Sequence, residues 1–188
     1  LGLAYVEALT RAGLQCLTGA PFLGYLPLSQ EAGTRNANIK LRTVFVKCDV
    51  SSWDDQVNLF RVAKEKAPNG RIDAVIANAG IYGPDILEGA VSRPLIVASR
   101  LSEEQPTKPN TSMLNVNLIG VMYTTRLAAW HFDRQNSIDP CVILVSSIMG
   151  YIDTQGSSVY SAAKHGVRGL MTCLRRKKTI RVNCLAPW

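Results

Sequence analysis

Short apolar runs that alternate with helical patterns are the feature that most constrains how this chain can fold. β-Branched, aromatic and other apolar residues predict strands at 14–17, 43–50, 72–77, 141–146 and 180–185. Apolar residues at helical spacing predict helices at 1–9, 53–66, 113–132 and 160–174, the second capped by Ser51 or Ser52. Because strands that alternate with helices assemble into a parallel sheet covered on both faces, we expect a three-layer α/β fold.

The composition places the chain among ordinary globular domains. Its 188 residues are 47% apolar, enough for one domain over residues 1–188 that buries its own core. No apolar run approaches the roughly 18–20 residues of a membrane-spanning helix, and no secretory signal opens the chain. The five cysteines are irregularly spaced, with no C-x-x-C pair. We therefore expect no disulfide framework, no zinc or other metal site, and a cytoplasmic location.

A basic run near the C-terminus raises the question of an anionic partner. The run is Arg-Arg-Lys-Lys at 175–178, followed by Arg181, in a chain of net charge +7. Such runs bind nucleic acid in some proteins, but they are more often solvated helix ends, where cations complement the helix dipole. Because no interleaved aromatic residues or nucleic-acid module accompany the run, we expect no nucleic-acid partner.

The segment YSAAK, from Tyr160 to Lys164, carries the strongest chemical signal. Four residues apart on a helix, the phenol and the amine lie on one face. A phenol is a poor base at neutral pH, but an ammonium within a few ångströms favours the phenolate form. The pair predicts a proton-transfer group that works near physiological pH, and an exposed helix face is the alternative interpretation.

Polar residues in apolar surroundings accompany this pair. Ser147 follows the apolar run 141–145, and open parallel sheets bind ligands at the carboxyl ends of their strands. Its hydroxyl could donate to a substrate oxygen or simply cap a helix. Asn117 lies in the apolar helix 113–132, where an unpartnered amide costs about 1–3 kcal/mol. It is therefore either a satisfied core amide or a group that positions water.

Two further strand ends carry candidate binding residues. Asn78-Ala79-Gly80 follows the run 72–77 directly, and its small residues let a ligand approach the backbone. Asp49 lies near the end of the run 43–50 and could accept a hydrogen bond from an amino group.

Together these motifs resemble the short-chain dehydrogenase/reductase family over essentially the whole chain. The matching pieces are Asp49-Val50, Asn78-Ala79-Gly80, Asn117 in VNLIG, Ser147 in LVSSIMG, Tyr160 and Lys164 in YSAAKHG, and the closing IRVNCLAP. Within the family, DVSSWDDQVNLF and NGRIDAVIANAGI look similar to fungal members of the 15-hydroxyprostaglandin-dehydrogenase-like group. The resemblance implies a Rossmann-like, doubly wound parallel sheet. It also implies an oxidoreductase that uses NAD or NADP to interconvert a secondary alcohol and a ketone by hydride transfer.

The resemblance assigns roles to individual residues. Tyr160 would be the catalytic acid/base, Lys164 would favour its phenolate and hold the nicotinamide ribose, and Ser147 would bond the substrate oxygen. Asn117 would hold a water in a proton relay to Lys164. The cofactor would lie against Gly2, Asp49, Val50, Asn78, Ala79, Gly80, Tyr160, Lys164 and Pro187. The remaining partner would be a small alcohol or ketone, and a homo-oligomer stays open.

Both ends of the sequence depart from the family pattern. Only Gly2 matches the T-G-x-x-x-G-x-G turn after the family's first strand, and the sequence ends at Trp188, before the family's substrate loop. Family members that use NAD usually have an acidic residue at the end of the second strand, where it binds the ribose. The matching place here is near Ala20 and is not acidic, so the choice between NAD and NADP stays open. We therefore expect a truncated domain without its first strand, and hence weak or absent dinucleotide binding and marginal stability. The alternative function is an inactive relative that binds no cofactor.

Overall fold

The computed structural model describes residues 4, 8, 9, 12, 16–20, 43–67, 69–85, 108–135 and 138–188. Ala4, Ala8 and Leu9 are helical, while the rest of the helix predicted at 1–9, with Gly2, lies outside the described residues. Residues 86–107 also lie outside them. The fold described below therefore concerns the strands and helices from Cys16 onward.

In the described residues, five parallel strands build two sheets. The first pairs β1 (Cys16–Ala20) with β2 (Thr43–Lys47). The second contains β3 (Ala74–Ala77), β4 (Cys141–Val145) and β5 (Arg181–Leu185) in that spatial order. Within the described part of the chain the two sheets share no strand pairing. The parallel α/β architecture predicted from the sequence is confirmed.

The helices lie between the strands in the chain. α1 (Trp53–Lys66) follows β2 and packs against it. α2 (Ser112–Leu114) continues through a π-helical turn, Asn115–Ile119, into α3 (Gly120–Arg134). α4 (Ser158–Arg175) connects β4 to β5 and contacts both strands. Because α1 also packs against α3, and α3 against β3 and β4, the helices join the two sheets.

Local chemistry fixes the start of α1. The Ser52 side chain caps the helix by accepting a hydrogen bond from the Asp55 backbone N–H at 3.2 Å. Asp54 and Asp55 occupy the first turn, where negative charge is favoured. The helix therefore begins and ends as the sequence predicts, and of the two serines considered, Ser52 is the cap.

Strand boundaries were predicted less accurately. The run 43–50 is a strand only to Lys47, because the Asp49 carboxylate accepts from the Ser51 backbone N–H at 2.9 Å and closes a turn. The strand predicted at 72–77 begins at Ala74, and the one predicted at 14–17 covers Cys16–Ala20. Apolar runs alone do not show where strand pairing stops.

The core lies between the second sheet and the helices. Val75, Val142 and Val182 stand side by side across β3, β4 and β5, and all three are buried. The helix predicted at 113–132 is apolar nearly all round, yet it is only partly buried, because Met122 and Trp130 are exposed. One face of α3 therefore packs on the sheet while the other faces outward.

Candidate active site

The predicted polar residues gather around the carboxyl ends of β3 and β4. Gly80 lies shortly after β3. Because it has no side chain, the side chains of Asn117 and Lys164 both come close to its backbone. A Cβ atom built on Gly80 would lie 3.3 Å from Asn117 Oδ1 and 3.4 Å from Lys164 Nζ. A residue with a side chain would crowd both groups, so glycine allows the amide and the amine to approach the same stretch of backbone.

Lys164 is held against the end of β4 by two hydrogen bonds. Its Nζ donates to the Val145 carbonyl at 3.0 Å, and its own backbone carbonyl accepts from Ser146 Oγ at 2.9 Å. The side chain is buried, and burial lowers the pKa of the Lys164 amine, an effect partly opposed by the nearby Cys184 thiol. The sequence predicted the position of this amine on α4 but not its burial.

Tyr160 lies on the same face of α4 as Lys164. The Lys164 Nζ stands 5.5 Å from the centroid of the Tyr160 ring. On another side, the ring meets that of Tyr82 edge to face, with centroids 5.1 Å apart and an interplanar angle of 81°. The phenol is therefore bordered by a buried amine and by a second phenol.

Asn117 is fully buried within the π-helical turn. Its Oδ1 accepts from the Ile81 backbone N–H at 2.8 Å, and its Nδ2 donates to the Ile81 carbonyl at 2.7 Å. The amide is thus satisfied by the segment that follows Gly80, and this pairing ties the helix to the end of β3. A π-helical turn of this kind is common at functional sites.

Ser147 forms the turn that follows β4. It is the N-cap of a 3-10 turn, Ile148–Gly150, and its Oγ accepts from the Met149 backbone N–H at 3.3 Å. Of the two roles considered for the Ser147 hydroxyl, capping is therefore the one that the structure shows. A hydroxyl that accepts keeps its own proton for donation, so a substrate oxygen could still be its partner.

Pro187 lies beside this turn. Its carbonyl accepts from the Ile148 backbone N–H at 2.9 Å, and the Leu185 carbonyl accepts from Ser146 N–H at 2.8 Å. The end of β5 therefore runs along the segment that carries Ser147.

Asp49 and Val50, two of the predicted cofactor-binding residues, follow the end of β2. Asp49 Oδ1 also accepts from Ser51 Oγ at 2.8 Å, so this oxygen serves the turn. The Val50 carbonyl packs against the start of α3, where a Cβ atom on Gly120 would lie only 2.8 Å from it. Val50 thus packs against the start of α3, which continues directly from the π-helical turn of Asn117.

Gln56 joins Val50 to the start of α3, and no sequence pattern predicted this role. It is almost fully buried, and its Nε2 donates to the carbonyls of Val50 at 2.5 Å and of Gly120 at 2.9 Å. Its Oε1 accepts from Thr124 Oγ1 at 2.7 Å. The available signal was position: Gln56 precedes the buried Phe60 by four residues and so lies on the apolar face of α1.

The basic run takes part in the structure at the opposite end of the sheet. Arg175 Nε donates to the Val182 carbonyl at 2.7 Å, and its Nη2 donates to Asn183 Oδ1 at 3.0 Å. Arg175, Lys178 and Arg181 line a shallow cavity of about 460 Å³ near the amino ends of β4 and β5. This cavity is remote from Tyr160 and Lys164, so it does not mark the candidate active site.

In the part of the chain that the structure describes, no group of histidine, cysteine or acidic side chains is arranged to bind a metal ion. None of the helices in the described ranges is both long and apolar enough to cross a membrane.

The architecture is that of Rossmann-fold dehydrogenases. A solved alcohol dehydrogenase from the archaeon Thermococcus sibiricus, complexed with 5-hydroxy-NADP, superposes with a TM-score of 0.74 at 20% identity, covering 98% of this chain and 71% of its own. A short-chain dehydrogenase from Streptomyces avermitilis gives the same TM-score and identity, with 99% and 60% covered. At these identities the likeness defines the class of fold.

The particular family follows from the sequence comparison. A family model described as short chain dehydrogenase matches residues 1–188, and the chain belongs to that family. It is similar to a 5'-hydroxyaverantin dehydrogenase of Dothistroma septosporum, 37% identical over 150 residues, which cover 75% of this chain and 48% of the relative. An NADP-dependent dehydrogenase of Cochliobolus lunatus is 33% identical, with 100% and 66% covered. The chain thus spans about half to two thirds of the length of these relatives.

Proposed function

We propose that this protein is an NAD(P)-dependent oxidoreductase that interconverts a secondary alcohol and a ketone, with residues 1–188 forming one dinucleotide-binding domain. The observation that carries the proposal is the meeting of Asn117 and Lys164 at Gly80, with Tyr160 beside them. Family membership supports the same reaction class.

The residues at the ends of β3 and β4 fit a nicotinamide dinucleotide. The Lys164 ammonium has three N–H donors, of which the Val145 carbonyl takes one, so others can reach ribose hydroxyls. Gly80 presents bare backbone beside it, with Asn78 and Ala79 preceding. Asp49 and Val50 would border the adenine and Pro187 the nicotinamide side. When bound, the nicotinamide supplies or accepts the hydride.

The protein's own part of the reaction is proton transfer. In the oxidation direction, Tyr160 as phenolate takes the proton of the substrate hydroxyl while Ser147 donates a hydrogen bond to the same oxygen. The Lys164 amine stands beside this phenol, with its Nζ 5.5 Å from the centroid of the Tyr160 ring. In the reverse direction, Tyr160 returns the proton to the carbonyl oxygen. Beyond its two bonds to Ile81, the Asn117 amide has a second N–H, which would help to hold a water that carries the proton onward.

A turnover assay tests this proposal. The protein is mixed with NAD or NADP and a panel of secondary alcohols, and reduced nicotinamide is followed by absorbance. Because two relatives are named NADP-dependent, we expect NADP to be the better cofactor. Y160F should lower kcat by about 10²–10⁴-fold, the usual contribution of a general acid or base. The control Y123F changes a tyrosine on α3 outside the site and should leave kcat unchanged.

The contrary results are specific. Turnover that survives in Y160F would remove the assigned acid/base. Failure of the parent protein to bind either dinucleotide, measured by calorimetry, would favour the alternative of an inactive relative.

We also propose that the protein works in the cytoplasm, as its cysteine chemistry suggests. Cys48, Cys141, Cys173 and Cys184, the cysteines whose side chains the structure describes, are free thiols. Cell fractionation with a tagged protein tests this, and recovery in a secreted fraction would contradict it.

A further inference from the structure

The segment that follows Gly80 contacts both helices of the candidate active site. Its first residue, Ile81, pairs through its backbone with the Asn117 amide. Tyr82 and Asp85 then form hydrogen bonds with Ser157 and Ser158 at the start of α4. The 81–85 segment therefore connects the π-helical turn that holds Asn117 to the helix that carries Tyr160.

Tyr82 contacts the start of α4 at two points. Its hydroxyl shares a hydrogen bond of 3.0 Å with Oγ of Ser157, which is buried. Its ring meets the Tyr160 ring edge to face at 5.1 Å, a favoured geometry for aromatic pairs. The side chain is nonetheless 64% exposed, so core packing does not account for its placement. What it contacts is the proposed acid/base.

Asp85 occupies the amino end of the same helix. Its Oδ2 accepts from the backbone N–H of Ser158, and from Ser158 Oγ at 2.5 Å. Ser158 is the first residue of α4, whose N-terminal N–H groups have no partner within the helix. The carboxylate satisfies one of them and complements the helix dipole. The first turn of α4, which includes Tyr160, is thereby attached to the 81–85 segment.

We propose that Tyr82 and Asp85 are positioning residues that hold Tyr160 in its catalytic orientation, Tyr82 through the ring contact and Asp85 through the start of α4. This inference rests on the proposed function of Tyr160. Neither residue transfers a proton or contacts the reacting atoms; each acts through the place it gives Tyr160.

Kinetics of Tyr82 variants test the first half. Y82L removes the ring, Y82F keeps the ring and loses only the hydroxyl, and Y123L removes an equivalent edge-to-face contact, with Trp53, elsewhere in the fold. We expect Y82L to lower kcat at least about tenfold with KM changed less than about threefold, the pattern of a lost transition-state arrangement. Y82F should stay within about threefold of the parent protein, and Y123L should keep its kcat. An unchanged kcat in Y82L, or a change in KM alone, would overturn the role of Tyr82.

A second measurement does not require activity. Amide hydrogen exchange at Ser158 should accelerate at least about tenfold in D85A, because its N–H loses its acceptor, and D85N should restore part of the protection. In NMR spectra, the ring resonances of Tyr160 should shift in Y82L and stay in place in Y123L. If the parent protein is inactive yet these changes occur, the positional contacts stand and the proposed function fails. The positioning proposal is wrong if the Ser158 amide exchanges at the same rate in the parent protein and in D85A. It is also wrong if the chemical shifts of the Tyr160 ring are unchanged in Y82L.

Discussion

The ammonium of Lys164 donates a hydrogen bond to the carbonyl oxygen of Val145, the last residue of β4, at 3.0 Å. This contact fixes the amine at the carboxyl end of the sheet and buries it. Burial disfavours the charged form, so the position has a cost to folding of the kind that functional groups impose.

The first prediction concerns that cost. K164M should lower kcat at least about 100-fold while leaving the free energy of unfolding unchanged or higher, because a buried cation is replaced by an apolar side chain of similar length. Urea unfolding measures the second quantity. K178M, on the exposed end of the basic run, is the control and should change neither. A loss of more than about 2 kcal/mol in K164M would show that the amine is structural.

The second prediction concerns Gln56, which bonds the Val50 and Gly120 carbonyls. Q56L should lower the free energy of unfolding by about 2–4 kcal/mol, because buried carbonyls lose their donor. Q56E should also destabilise, because a carboxylate cannot donate to them. Asn58, exposed on the same helix, is the control, and N58A should cost less than about 0.5 kcal/mol by denaturant unfolding. If Q56L and the parent protein had the same free energy of unfolding, Gln56 would not stabilise the fold by joining Val50 to Gly120.

The third prediction compares two glycines near or in α4. A Cβ atom on Gly150 would lie 2.5 Å from Ser146 Oγ and 2.9 Å from the Lys164 carbonyl, so G150A should be destabilised and should displace Lys164. Gly169 has open space around it within the helix, so G169A should gain about 0.5–1 kcal/mol. Thermal unfolding separates them, and equal melting temperatures would refute the close packing at Gly150.

The fourth prediction concerns His131 on α3, which stacks on Phe60 at 5.3 Å. Burial, with the charges of Lys64 and Arg134, lowers the pKa of this imidazole below 6.5. The folded state therefore binds the proton less readily than the unfolded chain. This contribution to stability is complete above pH 6.5 and is lost as the pH falls through the folded pKa. H131F keeps the stacking and should reduce the acid dependence in denaturant midpoints between pH 7.5 and 5. An identical slope in both proteins would contradict it.

The fifth prediction concerns Cys48, a fully buried thiol after β2. Burial, with the charges of Asp55 and Asp49, raises its pKa from 9.0 to about 11. The folded state keeps the thiol protonated, so its contribution is complete below pH 9 and is lost as the pH rises toward 11. C48A should lessen the alkaline loss of stability. Exposed Cys173 should react with a maleimide well before Cys48, and the reverse order would rule out the burial.

The sequence predicted those parts of the site that depend on local spacing. Tyr160 and Lys164 share a face of α4 because four residues make about one helical turn, which any α-helix imposes. Ser147 follows a strand because the apolar run before it ends. The start of α1 follows from Ser52 and two acidic residues within one turn of it. Each of these depends on neighbours along the chain.

Only the tertiary structure decided the contacts between distant segments. Gln56 meets Gly120 across 64 positions and Tyr82 meets Ser157 across 75, and no local pattern announces either pair. Burial of Lys164 arises because β4 and α4 pack together, and this burial rather than the residue type lowers the pKa of the amine. The sequence by itself determined which groups stand on one helix face or at one strand end. Packing determined which of them are desolvated and paired, because those energies depend on atoms that the chain brings together only when it folds.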